Sequence, residues 1–359
     1  MPGVYISYPF CAQKCTYCNF ASGVFPASLE PRYIETLSAE VRGTAWPWTP
    51  ETVYLGGGTP SQIDPEALAS LLAAIPGRPW IEATIEVAPG TITPEKAGAW
   101  RAAGIDRVSL GVQSFVTREL ARTGRKHTAE IVESDVGVLR AAGIQAINVD
   151  LIAGLPGQTR QSWASSLDWV ERLGVPHASV YMLEVDEDSR LGREILIKGA
   201  RYGASDVPQD DEIAELYEIA VDRLARAGLP RYEISNFARP GSESRHNLKY
   251  WRREPYLGFG ADAHSFDGTW RWQNVESAAA YVERAAAPER TPADPLAERF
   301  FLGLRLSEGI EGDWAPFTAS IEQFLRDGLL EFDGLRLKLT DRGVLLSNEV
   351  FAEFVGVPA

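Results

Sequence analysis

The chain has 359 residues, 45% of them hydrophobic and 23% charged, with a formal net charge of -14. That length suits one large and one small domain. The acidic balance excludes an electrostatic grip on nucleic-acid phosphates or anionic lipid, which needs clustered Lys and Arg. The first residues carry no basic leader and no stretch approaches the roughly 20 apolar residues of a spanning helix, so a cytoplasmic location without stable membrane insertion is expected. All three cysteines fall between positions 11 and 18, which leaves no spread for a disulfide framework.

In chain order, β-rich runs at 4–8, 52–55, 81–87, 105–110, 147–152 and 178–183 alternate with helical spacing at 65–75, 94–103, 129–142 and 160–173. Gly104, Gly143 and Gly174 stand where helix C-caps belong. This alternation predicts an α/β fold with a parallel sheet, and in parallel barrels ligands collect at the C-terminal strand ends. The run 147–152 is nearly continuous apolar, as in a strand buried on both faces, except at Asp150. After Tyr232-Glu233-Ile234-Ser235-Asn236-Phe237 the alternation stops, and 245–272 is rich in aromatics and glycine. From about Pro292 the pattern reads as two helices, a hairpin over 329–339 turning at Asp333-Gly334, and a last helix. Few basic residues mark that winged-helix-like module, so packing or partner contact is favoured over nucleic-acid binding. The expected organisation is a barrel over 1–235, a connector over 236–290 and a C-terminal module over 291–359.

Cys11-Ala12-Gln13-Lys14-Cys15-Thr16-Tyr17-Cys18 places three soft thiolate donors on one loop after the first strand. Structural zinc normally takes four protein ligands, and the nearest histidine in sequence is His127. Three unligated buried cysteines are the bland alternative; an iron–sulfur cluster is the favoured one. Gly56-Gly57-Gly58-Thr59-Pro60 follows the second strand, either as a tight turn or as backbone that a polar ligand can approach. It lacks the ending of a phosphate-binding P-loop. Glu86, Gln113 and Asp150 recur at strand ends, where each alone could simply satisfy backbone.

With Tyr5-Ile6-Ser7-Tyr8-Pro9-Phe10 preceding it, this CxxxCxxC motif resembles the radical S-adenosylmethionine (SAM) superfamily. The resemblance implies a partial (β/α)6 TIM-like barrel and a 4Fe-4S cluster on Cys11, Cys15 and Cys18, with its fourth iron taking SAM, whose reductive cleavage gives a 5'-deoxyadenosyl radical. It also implies that Gly57, Gly58 and Thr59 meet the methionine amino group, and that Tyr5, Tyr17, Glu86, Gln113, Arg125 and Asp150 surround the rest of SAM. Ala88 departs from the Asn usual in the family two residues after this Glu.

The segments 107–115, 148–157 and 232–238 are similar to the oxygen-independent coproporphyrinogen III oxidase family. Phe20 stands where the true oxidase has a fourth cysteine, and the oxidase's N-terminal extension is not seen. His246-Asn247-Leu248-Lys249-Tyr250-Trp251 instead reproduces the HNxxYW motif of HemW-type heme chaperones. The imidazole of His246 is suited to heme iron, and Tyr250 and Trp251 to the macrocycle; a hydrogen-bonded structural histidine is the alternative. His264, in Gly260-Ala261-Asp262-Ala263-His264-Ser265, is a competing ligand, whereas His127 and His177 read as ordinary loop or strand-start residues. The implied function is delivery of heme to acceptor hemoproteins, with an electron donor as a further partner and a homodimer as one admitted state. The rivals are coproporphyrinogen dehydrogenation, radical heme modification such as methyl transfer, and an interaction protein with a relic cluster.

Overall fold

The computed structural model describes residues 2–283 and 288–355. Met1 and the last four residues of the expected C-terminal module therefore lie outside the described residues. Six strands, β1 (Gly3–Tyr8), β2 (Thr52–Gly57), β3 (Glu82–Val87), β4 (Arg107–Gln113), β5 (Ala146–Ala153) and β6 (His177–Met182), pair in chain order, all parallel. The helices between and after them are α1 (Leu29–Gly43), α2 (Pro65–Ala73), α3 (Pro94–Ala102), α4 (Thr117–Thr123), α5 (Ala129–Ala141), α6 (Arg160–Leu173), α7 (Arg190–Leu196) and α8 (Asp210–Arg226). Three βα units share one local grammar: Thr93, Thr128 and Thr159 cap α3, α5 and α6 by accepting the N–H of Lys96, Ile131 and Ser162. Gly104, Gly143 and Gly174, all at positive φ, then turn the chain back to the sheet.

Strand register divides the sheet into two chemically different faces. Val4, Ile6, Val53, Leu55, Ile85, Val108, Leu110, Ile147, Val149 and Val180 are fully buried in the main core. Their neighbours along each strand face the lumen of the partial barrel: Tyr5, Ser7, Tyr54, Glu86, Ser109, Asn148 and Asp150 lie at consecutive or paired register positions. The apolar face holds the fold together, which frees the other to be polar.

The sheet does not stop where the βα pattern stops. β7 (Arg231–Glu233) and β8 (Asn236–Ala238) extend it antiparallel beyond β6. After α9 (Arg245–Trp251), β9 (Tyr256–Phe259) pairs parallel with β1. β10 (His264–Phe266), β11 (Trp270–Gln273) and, after α10 (Ala278–Glu283), β12 (Arg290–Pro292) continue antiparallel to give twelve strands among the described residues. The segment expected to be a connector thus builds one flank of the barrel sheet, through a contact some 250 residues apart in sequence that local periodicity does not report.

The C-terminal part comprises α11 (Pro295–Gly303), β13 (Ile310–Glu311), α12 (Thr318–Arg326), β14 (Leu330–Phe332), β15 (Arg336–Leu339), α13 (Asp341–Leu345) and α14 (Ser347–Ala352). Its three strands form a separate small sheet in the order β13-β15-β14. Glu298 of α11, buried between Arg253 and Arg271, ties this unit to the large sheet. No helix among the described residues is long and apolar enough to cross a membrane.

Candidate functional site

The cysteine loop leaves the C-terminal end of β1 and is pinned at several points by backbone. Cys11 N–H donates to Gly23 O at 2.8 Å, Thr16 N–H to Thr123 O at 3.3 Å, and Leu191 N–H to Thr16 O at 2.8 Å. Arg190 also reaches the Lys14 carbonyl. The three thiols are free and half-buried. Burial pushes the Cys11 thiol up, against hydrogen bonds from Ser22 and Thr59 that favour its thiolate. Among the described residues no three His, Cys, Asp or Glu side chains stand close enough for a single metal ion.

The glycine run packs directly under this loop. Gly57 has φ +108, and a Cβ on Gly58 would lie 2.5 Å from the Phe10 carbonyl oxygen, so these positions exclude a side chain. Gly58 N–H donates to Tyr8 O at 2.7 Å and Thr59 N–H to Phe10 O at 2.9 Å, which couples the run to the chain entering Cys11.

Glu86 accepts from the Tyr54 hydroxyl at 2.9 Å and from Gly57 N–H at 3.2 Å. Burial, and then the Asp150 charge, push its carboxyl up to about 7. Tyr5 stacks on Tyr54 with ring centroids 6.1 Å apart, and its hydroxyl lies beside Gly56. Gln113 sits at a break in register between β4 and β5 with φ +70, a strained position for a residue with a side chain. Burial opposes the charge of Arg125, but Tyr17 and Cys15 facing it more than offset that. One Arg125 nitrogen donates to Gly111 O at 2.6 Å, while its Nε is buried without a partner among the described residues. Free thiols, a side-chain-free cradle, raised acids and an orphaned guanidinium donor at one end of the lumen fit a cluster with a polar, charged cofactor beside it.

Sequence reasoning missed a set of buried residues behind Asp150. Ser244 N–H donates to the Tyr232 hydroxyl at 3.1 Å, and that hydroxyl pairs with His177 Nε2 at 2.9 Å. His177 Nδ1 lies 2.6 Å from Asn148 Oδ1, an acceptor, so Nδ1 carries the proton and Nε2 accepts from Tyr232. Asn148 Nδ2 in turn has three acceptors, Ser109 Oγ at 2.7 Å, Asp150 Oδ1 at 2.7 Å and Ser179 Oγ at 2.9 Å, for two hydrogens. Every donor along this path points toward the Asp150 carboxylate, so the bonds polarise one another. His177, read from sequence as an ordinary strand-start residue, is a fully buried link in it. The signal was present as polar alternation within Asn148-Val149-Asp150.

The path ends at the helix carrying the HNxxYW residues, at the opposite end of the barrel from the cysteines. Glu82, at the start of β3, accepts the N–H groups of Arg245 at 3.0 Å and His246 at 2.9 Å. His246 is 1% exposed. Its Nδ1 is 2.8 Å from Thr52 Oγ1, its Nε2 is 2.7 Å from the Tyr250 hydroxyl, and its ring stacks on Tyr54. Burial, then Lys249, lower its pKa to about 3. Tyr250 packs edge-on against Tyr256, and Trp251 is covered by the Arg305 guanidinium 4.3 Å from its ring. Both ring nitrogens are thus engaged, Nδ1 by Thr52 from far along the chain and Nε2 by Tyr250 one turn on in α9, which is the hydrogen-bonded arrangement weighed above as the alternative to heme ligation. His264 is exposed, and its ring nitrogens have no hydrogen-bond partner among the described residues.

Residues 5–170 match the model of the radical SAM superfamily, and residues 291–346 that of the HemN C-terminal domain. The chain is 37% identical to a protein of Mycobacterium tuberculosis named heme chaperone HemW, over 99% of this chain and 95% of that one. It is 33% identical to the Bacillus subtilis protein of the same name, over 99% and 100%. Among solved structures, coproporphyrinogen III oxidase (HemN) from Escherichia coli, described as a radical SAM enzyme, superposes with a TM-score of 0.82 at 21% identity, over 99% of this chain and 90% of that one.

Proposed function

The chain belongs to the HemW-type heme chaperone family of the radical SAM superfamily, and we propose that it holds heme for delivery to acceptor hemoproteins. In this reading Cys11, Cys15 and Cys18 carry a 4Fe-4S cluster. Tyr5, Tyr17, Gly57, Gly58, Thr59, Glu86, Gln113, Arg125 and Asp150 receive SAM, and a protein electron donor sets the cluster's oxidation state. When bound, cluster and SAM together supply one-electron chemistry. The chain's own residues position and insulate: Arg125 presents a free donor, Glu86 and Asp150 present acceptors, and the glycine run lets backbone approach. The family motif assigns heme to His246, Tyr250 and Trp251, but in the seated conformation that engagement requires α9 to leave Glu82, Thr52 and Arg305.

The observation that carries the reading is full-length likeness to proteins named heme chaperones, joined to free thiols at the polar end of the lumen. Phe20, exposed on the cysteine loop where the oxidase carries a fourth cysteine, argues against coproporphyrinogen dehydrogenation. Anaerobically reconstituted protein is expected to develop a Soret band with hemin and to pass it to an apo-hemoprotein without converting coproporphyrinogen III. Porphyrinogen turnover with no heme transfer would replace this reading by the dehydrogenase.

A further inference from the structure

We propose that His177 is a positioning residue for the SAM site: it holds the Asn148 amide in the orientation that keeps Asp150 an acceptor facing the lumen. This rests on the reading above that Asp150 receives SAM, and names what maintains that acceptor. Asn148 and Asp150 lie on the lumen face of β5, and in register they stand beside His177 and Ser179 of β6. Asp150 Oδ1 accepts from Asn148 Nδ2 at 2.7 Å and Oδ2 from Ser109 Oγ at 3.0 Å. A carboxylate oxygen has two lone-pair sites, so each oxygen keeps one for a donor on the ligand. A carboxyl beside an amide has a second self-consistent state, however. It can carry a proton and donate it to the oxygen of a flipped amide, and desolvation at Asp150 favours that uncharged form. The two ends of an amide are nearly equal in size, so packing does not choose between the states and hydrogen bonding must.

His177 makes that choice. Its Nδ1 lies 2.6 Å from Asn148 Oδ1 and its Nε2 2.9 Å from the Tyr232 hydroxyl. That hydroxyl accepts Ser244 N–H at 3.1 Å, so its own hydrogen turns to Nε2, and the ring carries its hydrogen on Nδ1. A flipped amide would then set N–H against N–H between two buried side chains, leaving both donors unpaired. Burial, and after it the charge of Arg107, hold the imidazole well below its ordinary pKa, so it stays a single donor and a single acceptor. Ser109, 2.7 Å from Asn148 Nδ2, does not constrain the amide, because its hydroxyl rotates to donate or accept. Ser179, 2.9 Å from the same nitrogen, acts in the same sense as His177 by giving its hydrogen to Asn236 Oδ1 at 2.8 Å. A hydroxyl can turn away, though, and a ring nitrogen cannot. The polarity of the ring is itself set by Tyr232 and, through it, by the N–H at the N-cap of α9.

The test is SAM binding to the full chain with its cluster reconstituted anaerobically, measured by equilibrium dialysis in wild type, His177→Leu, His177→Asn and Tyr232→Phe. Iron content and circular dichroism are compared with wild type first. His177→Leu is expected to weaken binding about tenfold or more, the loss of one hydrogen bond to a charged group, and His177→Asn, whose amide N–H can stand where Nδ1–H stood, to recover it to within about threefold. Nitrogen-15 NMR of histidine-labelled wild type should show His177, identified by its loss in His177→Asn, as the neutral ring with hydrogen on Nδ1. Tyr232→Phe should admit the other tautomer and weaken SAM binding. Hydrogen on Nε2 in wild type, unchanged affinity in folded His177→Leu, or equal weakening in His177→Leu and His177→Asn overturns the proposal. Should His177→Leu not fold, Tyr232→Phe decides, and an unchanged tautomer and affinity there overturn it. Wild type that holds its cluster and binds no SAM removes Asp150 from the cofactor site, and this inference with it, while hemin transfer separately judges the delivery reading.

Discussion

The two ends of the barrel are built from similar residue types and treat them in opposite ways. At the cysteine end, three thiols stand half-buried outside any disulfide, and the Arg125 Nε is buried without a partner among the described residues. At the α9 end, the His246 ring and backbone N–H are both engaged, by Thr52, Tyr250 and Glu82. Groups without internal partners are available to a ligand, whereas satisfied buried groups hold structure, because breaking them costs their desolvation. A conspicuous motif therefore marks where a family is constrained, and hydrogen-bond occupancy tells whether the constraint is poised for a ligand or locked in packing.

The sharpest way to break this contrast is to remove one residue from each end. Cys15→Ala is expected to abolish cluster assembly, read as loss of bound iron and of the reduced cluster's EPR signal, with unfolding midpoints of the apo chain nearly unchanged. Glu82→Ala should do the reverse. It leaves two N–H groups of α9 and the Arg107 guanidinium, 3.9 Å away, without their buried carboxylate, a loss of about 3–5 kcal/mol for a buried charge partner, measured by urea denaturation. Iron content in that variant should match wild type as long as it is assayed below its new midpoint. A Glu82→Ala chain as stable as wild type would show that α9 is not clamped at all. Next in size is Ser244→Ala: Ser244 caps α9 by accepting Asn247 N–H at 3.3 Å, so about 1 kcal/mol is expected, together with faster amide exchange confined to α9.

The open end was largely legible in the sequence and the locked end was not, for a physical reason. Cysteine spacing, the glycine run and strand-end acids are local features, and the strand–helix alternation with its closing glycines indicates that they fall at the same ends of their strands. His246 is different: its fate depends on Thr52 and Glu82, nearly 200 and more than 160 residues away, and no periodicity near position 246 encodes those partners. The same holds for β9, whose place beside β1 is a tertiary choice. The buried path through His177 falls between these cases, since alternation in Asn148-Val149-Asp150 displays its lumen-facing half but not its destination at Tyr232.

The finest test uses pH, where the two ends oppose each other. His246 has a folded pKa lowered to about 3 from the ordinary 6.5, so its contribution is present above pH 6.5 and is lost as pH falls toward 3. Glu86 has a folded pKa raised to about 7 from 4.5, so its contribution is present below pH 4.5 and is lost as pH rises through 7. Between about 4.5 and 6.5, unfolding releases a proton from Glu86 and takes one up at His246, and the two slopes offset. The wild-type contribution of this pair should therefore be flat there. Relative to wild type, Glu86→Gln should gain stability with rising pH across that window and His246→Gln should lose it, each by at most about 1.4 kcal/mol per unit. Denaturation midpoints at pH 5 and pH 6 are enough to see the two variants diverge with opposite sign; slopes of the same sign would mean that the buried end does not hold its imidazole neutral.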